Sequence, residues 1–142
     1  MVESSEQKEI VKRDIYLDTN FLLIPIQFKV DIFQEIDRIC HFPKTLNVLK
    51  ESIDELKYII EKQKGIDRQA AKIALQIIEK MDKQKSLNIT AFSKESKVDD
   101  ILVELAASGA IVATQDKELK KRIKEKGGKI IILKSKGYLD LM

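Results

Sequence analysis

The chain has 142 residues, of which 44% are hydrophobic and 35% charged, and its formal net charge is +3. This length suits one domain, and this composition is typical of a globular protein with a heavily charged surface. No apolar run is long enough to cross a membrane. The single cysteine, Cys40, excludes an intrachain disulfide, so we expect a cytoplasmic protein.

The first predicted strand ends on a carboxylate. Residues 1–13 show no clear hydrophobic period and are interpreted as a flexible N-terminal tail. Asp14–Asp18 is predicted as a buried strand, and the apolar segment that follows contains Pro25, which would interrupt a helix there. Ligands bind at the carboxyl ends of the strands in an open α/β sheet, so Asp18 is either part of a binding site or a helix cap.

Hydrophobic spacing predicts three helices and one strand in the next part of the chain. Apolar residues three or four apart indicate helices over 30–39, 49–62 and 66–83, and Phe42–Val48 is predicted as a strand. The helix over 49–62 carries Glu55, although most charged residues of a helix lie on its solvated face. Glu55 is therefore a candidate only in combination with other acids.

Strands and helices alternate through the rest of the chain. The strands predicted there are Leu87–Ala91, Ala110–Thr114 and Lys129–Leu133, separated by helices over 99–108 and 116–126. The apolar runs are continuous rather than alternating, as in strands buried on both faces of a parallel sheet. We predict a three-layer α/β/α domain over 14–134 with a central parallel sheet of about five strands, followed by a C-terminal tail over 135–142.

The last part of the chain is basic. From Asp116 onwards, nine Lys and Arg residues stand against four Asp and Glu residues. Such an asymmetry is typical of proteins with a polyanionic partner, but a solvated lysine-rich helix would produce it too.

Acidic residues recur at positions expected near the carboxyl edge of the sheet. Asp18 ends the first strand, Asp99 and Asp100 begin the helix before the fourth strand, and Asp116 follows that strand. Each acid could simply complement a helix N-terminus, whereas Glu55 could face solvent. Together, these carboxylates would repel one another unless a cation were present, and hard oxygen ligands suit Mg²⁺ or Mn²⁺. Two such ions on a carboxylate cluster can cleave phosphodiesters.

Other catalytic sets have little support. His41 is the only histidine and has no candidate nucleophile near it in sequence. A single cysteine cannot supply the cysteine pairs of a zinc site, and no glycine-rich phosphate loop follows the first strand.

In this order and spacing, the motifs resemble those of PIN-domain nucleases. The matching segments are Leu17-Asp18-Thr19-Asn20, Glu55, Val98-Asp99-Asp100-Ile101-Leu102 and Val112–Leu119. The resemblance covers about residues 14–134. Within the family, Pro25–Phe33 and Ala113–Ile123 are similar to archaeal single-domain PIN proteins, which are related to the eukaryotic PIN nuclease that processes small-subunit ribosomal RNA precursors.

This resemblance implies a metal-dependent endoribonuclease. The catalytic acids, which would also bind one or two Mg²⁺ or Mn²⁺ ions, are Asp18, Glu55, Asp99 and Asp116. Asp100 would be an auxiliary metal ligand or a helix cap, because Asp99 fits the family pattern better. The side chains that would orient these acids or bound water are Thr19, Asn20 and Thr114. The lysines that would contact RNA phosphates are Lys117, Lys120, Lys121 and Lys124. Gln115 is a departure, because relatives often carry asparagine there.

The substrate implied by the resemblance is RNA, with an rRNA precursor as one option, cut by in-line attack of water to leave 5′-phosphate and 3′-hydroxyl ends. Protein partners in RNA processing are expected, and so is a homodimer, because dimers are common in the family. Two alternatives stay open: a VapC-type toxin ribonuclease, and a catalytically silent PIN-fold domain that binds RNA or protein. The extended segment over 24–33 fits the rRNA-processing branch better than the toxin, and the intact acids at all four positions disfavour the silent domain.

Overall fold

The computed structural model describes residues 10–92 and 95–142. The strands in these ranges are β1 Arg13–Leu17, β2 Lys44–Leu49, β3 Asn88–Thr90, β4 Ile111–Ala113, β5 Lys129–Lys134 and β6 Tyr138–Leu141. The helices are α1 Thr19–Leu22, α2 Ile24–Gln27, α3 Ile32–Ile39, α4 Lys50–Lys62, α5 Ile66–Lys83, α6 Val98–Ala107 and α7 Lys117–Glu125. Of the helices described, none is long and apolar enough to cross a membrane. Residues 1–9 of the predicted N-terminal tail lie outside the described residues, and Arg13 already belongs to β1.

The six strands form one sheet in the order β3-β2-β1-β4-β5-β6. The first five strands are parallel and β6 is antiparallel to β5, so the predicted α/β fold with a central parallel sheet is confirmed. β2 and then β3 lie on one side of β1, and the chain then crosses to form β4 on the other side of β1. In such sheets this reversal opens a crevice at the carboxyl ends of the two strands, here those of β1 and β4.

Both faces of the sheet are buried, because neighbouring side chains of a strand point to opposite faces. Ile15 and Leu17 of β1 belong to a core shared with α1 to α5, whereas Tyr16 between them packs into a second core with α6 and α7. Helices therefore cover the sheet on two sides, as the continuous apolar runs predicted.

The end of the chain is a strand and not the tail predicted over 135–142. β6 returns along β5 and pairs Leu133 with Leu139. The hairpin turns through Ser135 and Lys136, whose φ angles of 52° and 55° lie in the left-handed region, and Gly137 N donates to Lys134 O at 3.0 Å. Turns of this kind normally carry Asn and Gly at those positions, so the sequence lacks the usual hairpin signal.

The outer edge of β6 is closed by two side chains of α3. Leu139 N donates to Glu35 Oε1 at 2.9 Å, and Arg38 Nη2 donates to Leu139 O at 3.0 Å. The same two side chains form a 2.9 Å ion pair. Arg38 and the Leu139 N–H both donate to the carboxylate and so lower the pKa of Glu35 to about 2. An edge strand whose outward peptide groups are bonded cannot use them to pair with another chain.

Candidate active site

Asp18 lies where β1 ends, at the crevice between β1 and β4. Its backbone N–H donates to Ala113 O at 2.9 Å, which ties it to the end of β4. The residue is only 6% exposed. One carboxylate oxygen, Oδ1, accepts from Thr19 N at 2.9 Å, and the other, Oδ2, accepts from Thr114 Oγ1 at 2.7 Å. Asp18 therefore caps α1 and at the same time faces the residue that follows β4.

Thr114, Asn20 and Gln115 join the start of α1 to the loop after β4. Asn20 Oδ1 accepts from Gln115 N at 3.0 Å and lies 3.3 Å from Thr114 Oγ1. Gln115 Nε2 donates to Asn20 O at 2.8 Å, and Asp116 N donates to Thr114 Oγ1 at 3.1 Å. The buried Thr114 hydroxyl thus contacts Asp18 directly, whereas Asn20 acts on the loop. The longer Gln115 side chain finds its own partner in the Asn20 backbone.

Glu55 and Asp99 approach Asp18 from two helices. Glu55 on α4 accepts from the Thr19 hydroxyl at 3.2 Å. Asp99 lies in the first turn of α6. Thr19 therefore links the two acids that it contacts, because its N–H bonds Asp18 and its hydroxyl bonds Glu55. The sequence pattern alone could place Glu55 on a solvated face; its contact with Thr19 brings it to the crevice.

The charges of these acids oppose one another. Burial, together with the charges of Asp99 and Glu55, raises the pKa of Asp18 from 3.8 to about 6, although the hydrogen bonds from Thr114 and Thr19 act to lower it. Partial burial likewise raises the pKa of Glu55, with Asp99 adding to the effect. The pKa of Asp99 is raised by burial and by the Asp116 charge. The three acids are thus held in a region where ionising all of them is unfavourable.

Asp100 points to a different partner. Its Oδ1 accepts from Arg122 Nη2 of α7 at 2.7 Å, in an ion pair whose side chains are 53% and 38% exposed. Asp99, one position earlier, is the acid whose charge raises the pKa of Asp18. The structure therefore brings Asp99 to the crevice and pairs Asp100 with a basic side chain. Arg122 was not among the predicted site residues, and no sequence pattern indicates this pair, which joins residues 22 positions apart.

Asp116 is the residue before α7 and is partly buried. Its Oδ1 accepts from Glu118 N at 2.9 Å and from Leu119 N at 3.2 Å, which is the hydrogen bonding of a helix cap. These two contacts use only one of its oxygens. The charge of Asp116 also raises the pKa of Asp99, so the two acids lie close enough to interact.

The donor chemistry of the crevice suits a hard cation, although its side chains do not close around one. In the described ranges, no three or more His, Cys, Asp or Glu side chains stand close enough together to hold a metal ion. The described neighbours that set the pKa of Asp18 include no basic group. Glu55 and Asp99 are exposed residues, and the charges of both raise the pKa of Asp18. Oxygen-only donors are the ligands that Mg²⁺ and Mn²⁺ prefer.

The predicted RNA-binding lysines lie on α7, next to the crevice. Lys117, Lys121 and Lys124 are exposed and Lys120 is half-buried, while Leu119 and Ile123 turn into the core. Within the described part of the chain, none of the four lysines forms an ion pair. Their charges are therefore free to meet an anion.

Comparison with known proteins gives one family and a consistent fold. A family model described as "PIN like domain" matches residues 15–136. Ribonuclease VapC4 of Methanocaldococcus jannaschii is 27% identical over 128 residues, which are 87% of this chain and 92% of that protein. The structure of the PIN domain endonuclease Utp24 superposes with a TM-score of 0.69 at 24% identity, covering 90% of each chain. A domain of a functionally unknown protein from M. jannaschii superposes with a TM-score of 0.58 at 14% identity, over 87% of this chain and 92% of that one.

Proposed function

Because this chain belongs to the PIN-like domain family, we propose that it is a metal-dependent endoribonuclease that hydrolyses RNA phosphodiesters. The observation that carries the proposal is the buried Asp18 carboxylate, whose pKa is raised to about 6 beside Glu55 and Asp99. A fold gains nothing from holding such acids together unless a cation compensates their charge. The 27% identity with a ribonuclease supports RNA as the substrate.

We assign the metal to the crevice acids. Asp18, Glu55, Asp99 and Asp116 would hold one or two Mg²⁺ or Mn²⁺ ions, with Asp100 as an auxiliary ligand only when it leaves Arg122. When bound, such ions supply activation of the attacking water and stabilisation of the leaving oxygen in phosphodiester hydrolysis.

The other side chains of the site hold the acids in place. The Thr114 hydroxyl and the Thr19 N–H bond one oxygen each of Asp18, so the carboxylate has a defined orientation. The Thr19 hydroxyl does the same for Glu55. Asn20 bonds the loop that carries Thr114, which keeps that hydroxyl beside β1. The α7 lysines contact phosphates, which sets affinity and orientation rather than sequence preference.

We assign the reaction to RNA processing in the cytoplasm, with an rRNA precursor as one substrate, by a homodimer that works with protein partners. The experiment is cleavage of a circular RNA with Mg²⁺ or Mn²⁺, because only an endonuclease can open a circle. We expect the wild type to yield linear products with 5′-phosphate and 3′-hydroxyl ends, and Asp18→Asn to yield none. Equal cleavage by both proteins would show that the activity comes from elsewhere.

A VapC-type toxin is the second candidate, and the similarity to ribonuclease VapC4 favours it. A toxin arrests growth when it is expressed without its antitoxin, whereas a processing nuclease does not. Induced expression of the wild type in a bacterial host, with Asp18→Asn as the control, distinguishes the two. Growth arrest by the wild type alone would favour the toxin. RNA binding without cleavage by either protein would favour a silent PIN-fold domain.

A further inference from the structure

A cavity lies beside the loop that follows β4, next to the crevice of Asp18. It measures about 360 Å³, and its lining consists of Phe28, Gln115, Lys120, Leu133, Ser135 and Lys136. Small-ligand sites are typically about 300–1,000 Å³. Gln115 connects the cavity with the crevice, because it lines the cavity and donates two hydrogen bonds to Asn20. The residue before it, Thr114, bonds Asp18. A polymer bound at the crevice can therefore continue into the cavity.

The charged side chains of this lining are both basic. Lys120 and Lys136 line the cavity, and none of the described residues that line it carries a carboxylate. Lys120 is half-buried on α7, whereas its neighbours Lys117 and Lys121 are exposed. Neither Lys120 nor Lys136 forms an ion pair within residues 10–92 and 95–142. Two lysines on a cavity wall, without an ion-pair partner among the described residues, attract an anion to the cavity.

Phe28 gives the cavity an aromatic wall. It follows α2 directly, and its ring packs against the larger core while part of it remains accessible. Phe28 and Leu133 are the apolar residues of a lining that also contains the two lysines. An aromatic face beside positive charge is the combination with which proteins bind single-stranded nucleic acid, because any base can stack on the ring while the cations contact the backbone.

The turn that places Lys136 at the cavity is strained. Ser135 and Lys136 both adopt positive φ, a conformation that costs a non-glycine residue of order 1 kcal/mol or more. Asn-Gly would make the same turn without that strain. The turn thus sets the side chains of Ser135 and Lys136 in the lining of the cavity.

We propose that this cavity, the Phe28 pocket, binds the RNA nucleotide next to the scissile phosphate, with its base stacked on Phe28 and its phosphate held by Lys120 and Lys136. The inference rests on the proposed function, because it assigns a neighbouring nucleotide to the same site. Stacking does not discriminate strongly between bases, so the pocket gives a preference for single-stranded RNA rather than for a sequence.

The test compares two labelled probes by fluorescence anisotropy in EDTA, so that nothing is cleaved: a short oligouridylate and an abasic ribose-phosphate chain of equal length. We expect Phe28→Leu to weaken oligouridylate binding about tenfold and binding of the abasic chain less than twofold. Phe28→Tyr, which keeps the ring, should bind both probes as the wild type does. Melting temperatures exclude unfolding as the cause.

The lysine variants test the other half of the pocket. Lys120→Gln and Lys136→Gln should each lower the affinity for both probes. Each should also reduce the slope of log affinity against log salt by at most about 0.7, the value for one phosphate of a single strand. Lys83→Gln is the matched control: it lies at the end of α5, just before parallel β3 begins, and so at the opposite edge of the sheet. It should leave affinity and slope unchanged.

Two results would contradict the proposal that the Phe28 pocket binds RNA. One is an equal loss of affinity for both probes in Phe28→Leu, which would show that the Phe28 ring only packs against the core. The other is lysine variants that behave like Lys83→Gln while the wild type binds and cleaves RNA, in which case the nuclease stands and the pocket does not. A wild type that neither binds nor cleaves RNA would overturn the proposed function as well.

Discussion

Replacing Asp18 by asparagine should stabilise the metal-free protein while abolishing its activity. The exchange keeps the shape of the side chain and removes its charge. The amide oxygen of the new side chain would accept from Thr19 N as Asp18 Oδ1 does, and its amide nitrogen would donate to Thr114 Oγ1. The Thr114 hydroxyl could then turn its proton to Asn20 Oδ1, which lies 3.3 Å away. Every hydrogen bond at this position therefore has a replacement.

The magnitude follows from the pKa of Asp18, which burial and the neighbouring acids raise from 3.8 to about 6. This rise corresponds to about 3 kcal/mol of lost stability above pH 6, because a change of one in pKa is worth about 1.4 kcal/mol. The folded protein holds the Asp18 proton more tightly than the unfolded chain does. The destabilisation is therefore complete above about pH 6 and disappears as the pH falls below 3.8.

Urea unfolding with EDTA present measures this difference. At pH 8, the free energy of unfolding of Asp18→Asn should be up to about 3 kcal/mol higher than that of the wild type. Near pH 4, the free energies of unfolding of the two proteins should converge. Asp54→Asn, on the exposed face of α4 beside Glu55, removes the same charge and should change stability by less than about 0.5 kcal/mol. Saturating Mn²⁺ should raise the melting temperature of the wild type only. A variant less stable than the wild type at pH 8 would refute the reasoning.

Three further predictions concern the surroundings of Asp18 and the edge of the sheet. Thr114→Val should lose about 1–3 kcal/mol in urea unfolding, because it leaves an oxygen of Asp18 without its buried donor, and Thr114→Ser should restore most of that loss. Asp99→Asn should abolish RNA cleavage and the Mn²⁺-induced rise in melting temperature, whereas Asp100→Asn should retain both; the reverse result would exchange their roles. Glu35→Gln should lower stability at pH 7, because the pKa of Glu35 is lowered to about 2 in the folded protein. That stabilisation is present above the ordinary pKa of 4.5 and is lost towards pH 2, so the two unfolding curves should converge in acid.

The fold was predictable because it depends on patterns that any packing must respect. Continuous apolar runs separated by helical spacing allow few arrangements other than a parallel sheet between helices. In a parallel sheet, the residues that follow β1 and β4 lie at the same carboxyl edge. Asp18 and Asp116 could therefore be predicted to lie near each other without knowledge of any contact. The final strand was not predicted, because the turn before it places Ser135 and Lys136 in a backbone conformation that these residue types rarely adopt.

The details of the site were less accessible, because they depend on contacts between distant residues. Asp99 and Asp100 are neighbours at the start of α6, and their sequence context barely separates them. Their contacts distinguish them, because Arg122 pairs with Asp100 at 2.7 Å, whereas the charge of Asp99 raises the pKa of Asp18. Likewise, no local pattern predicts that Gln115 bonds the backbone of Asn20. Such pairings arise only when α6, α7 and α1 are packed together.

Capping α1 does not by itself explain why Asp18 is buried among other acids. Asp31 caps α3 with the same chemistry, accepting from Phe33 N and Gln34 N at 3.1 Å each, and it does so at the exposed surface. A carboxylate has about four acceptor sites, and the described hydrogen bonds of Asp18 use two. These bonds do not offset burial and the charges of Glu55 and Asp99, because the pKa still rises to about 6. Under the proposed function, the cap uses some of the oxygen lone pairs of Asp18, and the remaining acceptor sites are those that would bind the cation.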